Sequence, residues 1–405
     1  MSSPGLDGLA ASGVRFGNSF CTAPQCSPSR AALHTGRYPH STGVLGLAHH
    51  PFGYRLDPRE RHLAHILSDA GYTTSLIGMQ HLIEHGSAHE LGYQEVEPVA
   101  PAYDEAEVAL AQLRALSAAR KPFYLEVGFE EPHRPYDFGG AQPDTSRGVA
   151  VPPYLPDGSE SREDFAAFQG AIRQMDAAVG RILAGLDDLG IAEQTLVVFA
   201  TDHGAAMPRA KCTLYDPGIE VAVLMRWPER GLAGGRVIDD LVSNVDVTPT
   251  VLDALGLPAG TTLHGRSLWP LLSNSEGYVA RDEVFAEKTY HTHYEPMRAV
   301  RTARYKLILN LEVGLRFDVP GDILESPIYP LMIPQVLGNR PPLELYDLAS
   351  DPLEQTNLAD SPELADVQAD LRRRLLRWME DTDDPLLRGP VTSPYYRDAL
   401  DRLHS

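Results

Sequence analysis

The stretch CTAPQCSPSRAALHTGR, residues 21–37, places a cysteine, a proline and an arginine at steps of two residues. Cys26, Pro28 and Arg30 are followed by small and apolar residues that favour a helix. A thiol beside a guanidinium can act as a nucleophile or help to bind an anion. The residues on both sides of Cys26 are polar, so we expect this thiol to lie outside an apolar core. The step from Cys26 to Arg30 is too short for the Cys-x5-Arg loop of phosphatases.

Three further groups of ionisable residues stand in short polar segments of the first two thirds of the chain. They are His81 in GMQHL, His133 in EPHRPY, and Asp202, His203 and Lys211 in TDHGAAMPRAK. Alone, each has an ordinary explanation: a loop histidine is commonly a surface group, and an acid after a strand commonly caps a turn. Together at one edge of a sheet, they would form an active site.

The elements that must position these residues alternate between strands and helices. Short runs rich in β-branched or aromatic residues predict buried strands, at TTSLIGM (73–79), PFYLEVGF (122–129), TLVVFATD (195–202) and VAVLMRWP (221–228). Apolar residues at alternating steps of three and four predict a long helix over 165–186, ending near Gly190. A second helix is predicted between Pro249 and Gly256. This alternation predicts an α/β fold, a mostly parallel sheet sandwiched by helices, with ligands beyond the carboxyl ends of its strands.

The last third has a different pattern. DEVFAEK, MRAVRTARYKLILN and LELYDL are strand-like, and PELADVQADLRRRLLRWME is helical. We therefore expect a small antiparallel sheet with one helix packed on it. The boundary is placed near residue 275, giving a catalytic domain over 1–275 and a C-terminal subdomain over 276–405. The Pro- and Gly-rich loop 311–342 is long enough to cover a site.

The motif CSPSRAALHTGR resembles the signature of the type I, formylglycine-dependent sulfatases. The resemblance continues through TDHG, LYDPGIEV, DVTPTVLDALG and ELYDLASDPLEQTNLA. Within that family, EPHRPY, PMRAVRTARYKLILN and RWMEDTDDP are most similar to the heparan N-sulfatases, or sulfamidases. The resemblance implies an alkaline-phosphatase-like fold and a hydrolase that acts on sulfate esters or N-sulfamates of a sulfated sugar.

The resemblance also assigns roles to residues. A maturation enzyme would oxidise Cys26 to formylglycine, whose hydrate is the nucleophile. Arg30 would orient that hydrate, His81 and Lys211 would contact the sulfate oxygens, and His133 would protonate the leaving group. A divalent metal, usually Ca2+, would bind Asp202, His203 and the oxygen at position 26. Because histidine stands where the family commonly has asparagine, Mn2+ or Zn2+ is also an open choice.

Further residues receive weaker assignments. His291, His293 and Arg298, in YHTHYEPMRAVRT, are candidates for substrate contacts, with a solvated strand edge as the alternative. Cys21 and Cys212 lack the flanking proline and arginine, so we expect both to be structural.

The sequence departs from the family pattern in two places. The family begins with an apolar strand that ends in two metal-binding aspartates, and no acidic pair precedes Cys26 here. A misplaced gene start is the favoured explanation and true truncation the other. As written, the sequence lacks a central parallel strand, so we expect two strand edges to cover and weak metal binding. Met79 replaces a common lysine, so His85, Arg134 or Arg209 would have to supply the missing cation.

Composition excludes several functional classes. The 405 residues carry a net charge of −20, which argues against nucleic acid or an anionic membrane as partner. We find no run of apolar residues long enough for a membrane span and no signal peptide, so a cytoplasmic enzyme is expected. Two alternatives stay open: a phosphodiester or phosphonate monoester hydrolase with the same nucleophile, and an inactive protein that only binds sugar sulfates.

Overall fold

The computed structural model describes residues 2–84, 86–260, 262–312, 318–336 and 340–403. The strands are β1 (Val14–Phe20), β2 (Thr73–Gly78), β3 (Glu95–Glu97), β4 (Phe123–Gly128), β5 (Val197–Ala200), β6 (Val223–Arg226), β7 (Arg236–Ser243), β8 (Glu283–Tyr290), β9 (Tyr294–Thr302), β10 (Tyr305–Asn310) and β11 (Leu343–Asp347).

The α-helices vary from single turns to a helix of 30 residues. They are α1 (Pro4–Ser12), α2 (Cys26–Thr35), α3 (Pro39–Thr42), α4 (Leu63–Asp69), α5 (Ala102–Ala119), α6 (Ser159–Asp188), α7 (Asp216–Ile219), α8 (Val247–Ala254), α9 (Trp269–Leu272), α10 (Gly321–Leu324), α11 (Tyr329–Val336), α12 (Ala365–Asp381) and α13 (Pro394–Asp401).

The strands of the first two thirds form two sheets. One has the order β3-β2-β4 and is parallel, and the other has the order β5-β6-β1-β7. In the second sheet β1 is parallel to β7, and β6 is antiparallel to both of its neighbours. The strands β1, β2, β4 and β5 each lead into one of the predicted site segments. The predicted α/β class is confirmed, with one reversed strand in the sheet.

The edge strands β4 and β5 adjoin each other without pairing. Phe123 and Leu125 of β4 pack in the same apolar cluster as Val197 and Phe199 of β5. In the described part of the chain, no hydrogen-bonded ladder joins these two strands. Their residues are half-buried, apart from the buried Gly128. The two sheets therefore meet through side chains.

Helices α5 and α6 cover one side of these sheets. The predicted apolar stripe lies on α6, where Phe165, Met175, Val179 and Leu186 are buried. Asp176 of α6 accepts backbone N–H groups at the start of α1, at 2.7 and 3.0 Å, and so caps that helix. The N-terminal helix is therefore fixed on the longest helix of the domain.

The C-terminal third forms the expected antiparallel sheet with a helix on one face. Its strand order is β11-β10-β9-β8. Trp378 of α12 stacks on Phe285 of β8 with ring centroids 4.9 Å apart. Leu371 and Leu375 complete the apolar contact of this helix with the sheet. The domain boundary near residue 275 stays a prediction.

Two features of the fold differ from the sequence expectation. Strands β1, β3 and β7 were not predicted, and the predicted loop 311–342 contains the short helices α10 and α11. Across the described residues, no helix combines the length and apolarity that crossing a membrane requires.

Candidate active site

The site residues lie where strands of the two sheets end. Cys26 is the first residue of α2, which follows β1, and α2 ends at Gly36 in a left-handed conformation, φ 68°. His81 follows β2, His133 follows β4, and Asp202 with His203 follows β5. The fold thus brings these sequence-predicted groups to one edge, as parallel strands do with their carboxyl ends.

Cys26 is buried, which differs from the expectation drawn from its polar neighbours in sequence; its side chain is only 7% exposed. Its Sγ lies 3.3 Å from Nε2 of His203. Burial by itself would raise the pKa of the thiol, but the charges of Lys211 and His203 outweigh burial and hold the pKa well below its ordinary value of 9.0. The first turn of a helix also favours a thiolate. The pocket is therefore buried and electropositive.

Asp202 connects Arg30 and His203. Its Oδ2 accepts a hydrogen bond from Nε of Arg30 at 3.0 Å, and its Oδ1 accepts the backbone N–H of His203 at 3.0 Å. Burial would raise the pKa of Asp202, but the charges of His203 and Arg30 lower it. The carboxylate is therefore ionised and can bind a cation.

His203 directs its Nε2 atom at Cys26. Its Nδ1 donates to the carbonyl oxygen of Gly204 at 2.7 Å, which leaves Nε2 facing Cys26. Ligand atoms of Cys26, Asp202 and His203 all lie within 4.8 Å of one another. A histidine whose second nitrogen is fixed by a carbonyl is the usual arrangement of a metal ligand. Burial would lower the pKa of His203, but the charges of Asp202 and Cys26 raise it, so a divalent cation held by these three residues would displace the proton from Nε2.

Lys211, His133 and Asp322 form a second group of side chains at the site, in contact with one another. Nζ of Lys211 lies 3.2 Å from Nε2 of His133 and donates to Oδ2 of Asp322 at 2.7 Å. His133 donates through Nδ1 to the carbonyl oxygen of Arg134 at 2.5 Å, so its Nε2 is directed at the pocket. Lys211 is 4% exposed and Asp322 is half-buried. A buried lysine and a fixed histidine here can bind an anion and transfer a proton.

His81 contacts His49. It forms no hydrogen bond with Arg134 or Arg209, two of the residues proposed to replace the lysine at position 79. Their Nε2 and Nδ1 atoms are 2.6 Å apart, and His81 adopts a left-handed backbone, φ 59°. Arg134 forms a bidentate ion pair with Asp164. The Arg209 guanidinium lies over the ring of Tyr215 and donates to the carbonyl oxygen of Glu354. Neither arginine fills the position expected of it, and His85 lies outside the described residues.

The three candidate substrate residues have different surroundings. His291 is buried, and burial followed by the charge of Lys211 lowers its pKa far below the ordinary value, so it lies within electrostatic reach of the pocket. His293 is exposed on the β8–β9 turn.

The suggested role of Arg298 in substrate binding needs correction. Its side chain is fully buried, 0% exposed, and its guanidinium donates to Asp384 at 2.6 and 3.1 Å. A second ion pair joins it to Glu287 at 3.2 Å. All its charge is therefore used inside the C-terminal subdomain, where no substrate can reach it.

Two residues of the pocket were missed by the sequence reasoning. Asp322 comes from α10, inside the loop that was predicted to cover the site, but no motif distinguishes this acid from its neighbours. His49 is one of two adjacent histidines in HHP. Adjacent histidines are rare in a sequence with 15 of them, and this is the only feature that could have marked His49 as a site residue. Both reach the pocket through tertiary packing.

The chain resembles known protein families and individual proteins. Residues 2–257 match the family model described as Sulfatase, and residues 209–318 match the model described as N-sulphoglucosamine sulphohydrolase, C-terminal. The chain is 31% identical to N-sulphoglucosamine sulphohydrolase of Homo sapiens, over 96% of this chain and 88% of the human protein.

Solved structures show the same fold. A 2-O GAG sulfatase superposes with a TM-score of 0.74 at 23% identity, covering 96% of this chain and 89% of its own. A phosphonate monoester hydrolase from Silicibacter pomeroyi superposes with a TM-score of 0.71 at 19% identity, covering 95% of this chain and 91% of its own. Likeness of fold alone therefore does not separate sulfur from phosphorus substrates.

Proposed function

The chain belongs to the sulfatase family, and from that premise we propose that it removes sulfate from N-sulfated amino sugars, cleaving an S–N bond. Hydrolysis of sulfate esters or sulfamates is the activity of the family. The choice of a sulfamate is supported by the C-terminal match over residues 209–318 and by the 31% identity to a sulphohydrolase of N-sulphoglucosamine.

One observation carries the proposal: Cys26 lies at the start of a helix among cations. His203 contacts its sulfur at 3.3 Å, and the charge of Lys211 acts on it. Negative charge develops on sulfonyl oxygens and on the leaving atom during the reaction, so preorganised cations lower the barrier. An apolar pocket or an acidic one would not serve this chemistry.

The roles of this chain's residues follow from their positions. Formylglycine, once formed from Cys26, supplies a hydroxyl nucleophile. Lys211 and His81 bind the sulfonyl oxygens and hold the sulfur near position 26. Arg30 keeps Asp202 in place through their 3.0 Å hydrogen bond. His133 has its Nδ1 bound to a carbonyl and its Nε2 directed at the pocket, so in its doubly protonated form it donates the Nε2 proton to the leaving nitrogen.

A divalent cation would be held by Asp202, His203 and the residue formed from Cys26. Bound there, it would act as a Lewis acid on a sulfonyl oxygen. Ca2+ is our proposed ion, since it accepts carboxylate and other oxygen ligands, and the imidazole of His203 makes Mn2+ and Zn2+ the alternatives to test. A formylglycine-generating enzyme is the partner that the proposal requires.

The test is sulfate release by protein that has been co-expressed with a formylglycine-generating enzyme. Glucosamine N-sulfate is the substrate, Cys26→Ala is the control, and an aryl phosphonate ester is the competing substrate. We expect sulfate release by the wild-type protein and none by Cys26→Ala. Preferential cleavage of the phosphonate, or equal rates for the two proteins, would refute the proposal.

A further inference from the structure

Asp322 places a carboxylate beside Lys211 and His133, two groups that suit an anion. Its Oδ2 lies 2.7 Å from Nζ of Lys211 and 3.7 Å from Nε2 of His133. A carboxylate at this position repels the sulfonyl oxygens of a substrate and takes up part of the charge of Lys211. Its presence therefore needs an explanation other than anion binding.

The segment that carries Asp322 is fixed on both sides. Ahead of it, Asp318 accepts the backbone N–H groups of Thr292 and His293 at 3.0 and 3.1 Å. After it, Ile323 is buried, and Ser326 donates to Asp164 at 2.9 Å. Asp322 is therefore held in place by the packing of its own segment, independently of its contact with Lys211.

Sulfate esters and sulfamates differ at the atom that leaves. The bridging oxygen of an ester carries only lone pairs, and a nearby carboxylate repels it. The nitrogen of a sulfamate carries a hydrogen that can be donated to a carboxylate, and the amine that leaves carries more. Because the proposed function places His133 at the leaving atom and Asp322 lies 3.7 Å from His133, the carboxylate would also lie near that nitrogen.

We propose that Asp322 binds the N–H of the substrate nitrogen and thereby makes the site selective for N-sulfated amino sugars over sulfate esters. This inference rests on the proposed function and adds the residue that chooses between the two bonds. As the S–N bond breaks, its electron pair goes to nitrogen and the proton comes from His133. A new S–O bond forms to the hydroxyl nucleophile, whose proton is released to solvent, and Asp322 hydrogen-bonds the resulting amine.

The experiment compares two substrates that differ only at the leaving atom, glucosamine N-sulfate and glucose 2-sulfate, on matured protein. The variants are Asp322→Ala, Asp322→Glu to retain the carboxylate, and Glu325→Ala to remove an exposed acid from the same segment. The measured quantity is the ratio of kcat/KM for the two substrates, which does not depend on the folded fraction of a preparation.

A hydrogen bond to a charged group is worth about 1.5–3 kcal/mol, or about 10- to 100-fold. We expect Asp322→Ala to lower the N-sulfate to 2-sulfate ratio by about that factor. Asp322→Glu should recover part of the preference, and Glu325→Ala should leave it unchanged. An unchanged ratio in Asp322→Ala would overturn the role of Asp322 while the enzyme remains a sulfohydrolase. A wild-type protein inactive on both sugars and on aryl sulfates would overturn the proposed function itself.

Discussion

The surroundings of Cys26 and Cys212 differ in charge rather than in burial. Both thiols are buried, and each has a lysine nearby, Lys211 for Cys26 and Lys288 for Cys212. Burial raises the pKa of Cys212, whereas around Cys26 the charges of Lys211 and His203 outweigh burial and lower it.

The two lysines explain the contrast. Burial is the largest cause of the raised pKa of Cys212. The charge of Lys288, which forms ion pairs with Glu295 and Asp318, lowers that pKa, and the charge of Asp318 raises it again. Lys211 has a side-chain ion pair with Asp322, and His203 adds a second positive group next to Cys26. A reactive position therefore requires cations that are not fully neutralised by their neighbours.

The largest effect should come from the two cysteines themselves. We expect Cys26→Ala to reduce sulfate release by matured protein at least about 10⁴-fold, because no nucleophile remains. Cys212→Ala should retain kcat/KM within about twofold. Steady-state kinetics on glucosamine N-sulfate measure both, and comparable losses in the two variants would mean that charge does not distinguish these sites.

Removing the positive charge of Lys211 should have the next largest effect. We expect Lys211→Ala to lower kcat about 10²- to 10³-fold, as loss of one oxyanion-stabilising donor does. Lys288→Ala serves as the matched control, and we expect it to lower the melting temperature and to leave kcat unchanged. A thermal unfolding curve taken beside the kinetics separates the two; a catalytic defect confined to Lys288→Ala would reverse our assignment.

The role of His133 can be tested through the leaving group. We expect His133→Gln to slow hydrolysis of glucosamine N-sulfate about 10²-fold, since a poor leaving group needs a proton. Hydrolysis of 4-nitrophenyl sulfate, whose leaving group needs no proton, should fall much less. Equal losses on both substrates would contradict a proton donor at this position.

The smallest effect is spectroscopic and concerns protein that has not been matured. Because its pKa lies well below the ordinary value of 9.0, Cys26 in metal-free protein should ionise at a lower pH than an ordinary thiol, and Cys212 should ionise at a higher pH. The ultraviolet absorbance of the thiolate, followed against pH, should lose its transition below pH 9.0 in Cys26→Ala and keep it in Cys212→Ala. Lys211→Ala should move the transition upward.

Much of the fold could be predicted because its signals are local. The stripe on α6 and the strand runs at β2, β4, β5 and β6 follow the periodicities that buried elements require. Strands β1 and β7 escaped prediction because polar residues interrupt their apolar pattern: Asn18 and Ser19 in one, Asp239 and Asp240 in the other.

The site residues that could be predicted are those that come soon after a strand in the sequence. Cys26, His81, His133 and Asp202 each come soon after a strand, so topology alone brings them together. Asp322 and His49 arrive through the packing of distant segments, which no local pattern encodes. Arg298 was misassigned because sequence cannot distinguish an arginine that faces a substrate from one buried against Asp384 and Glu287.

The chemical state of residue 26 tests the central claim most directly. Trypsin should release residues 16–30, FGNSFCTAPQCSPSR, from active protein isolated from its own cells. This peptide contains both Cys21 and Cys26, so each thiol serves as a control for the other. We predict, by fragment mass spectrometry, an aldehyde in place of the thiol at position 26 and an intact thiol at Cys21. An intact thiol at Cys26 in protein that releases sulfate would contradict the account.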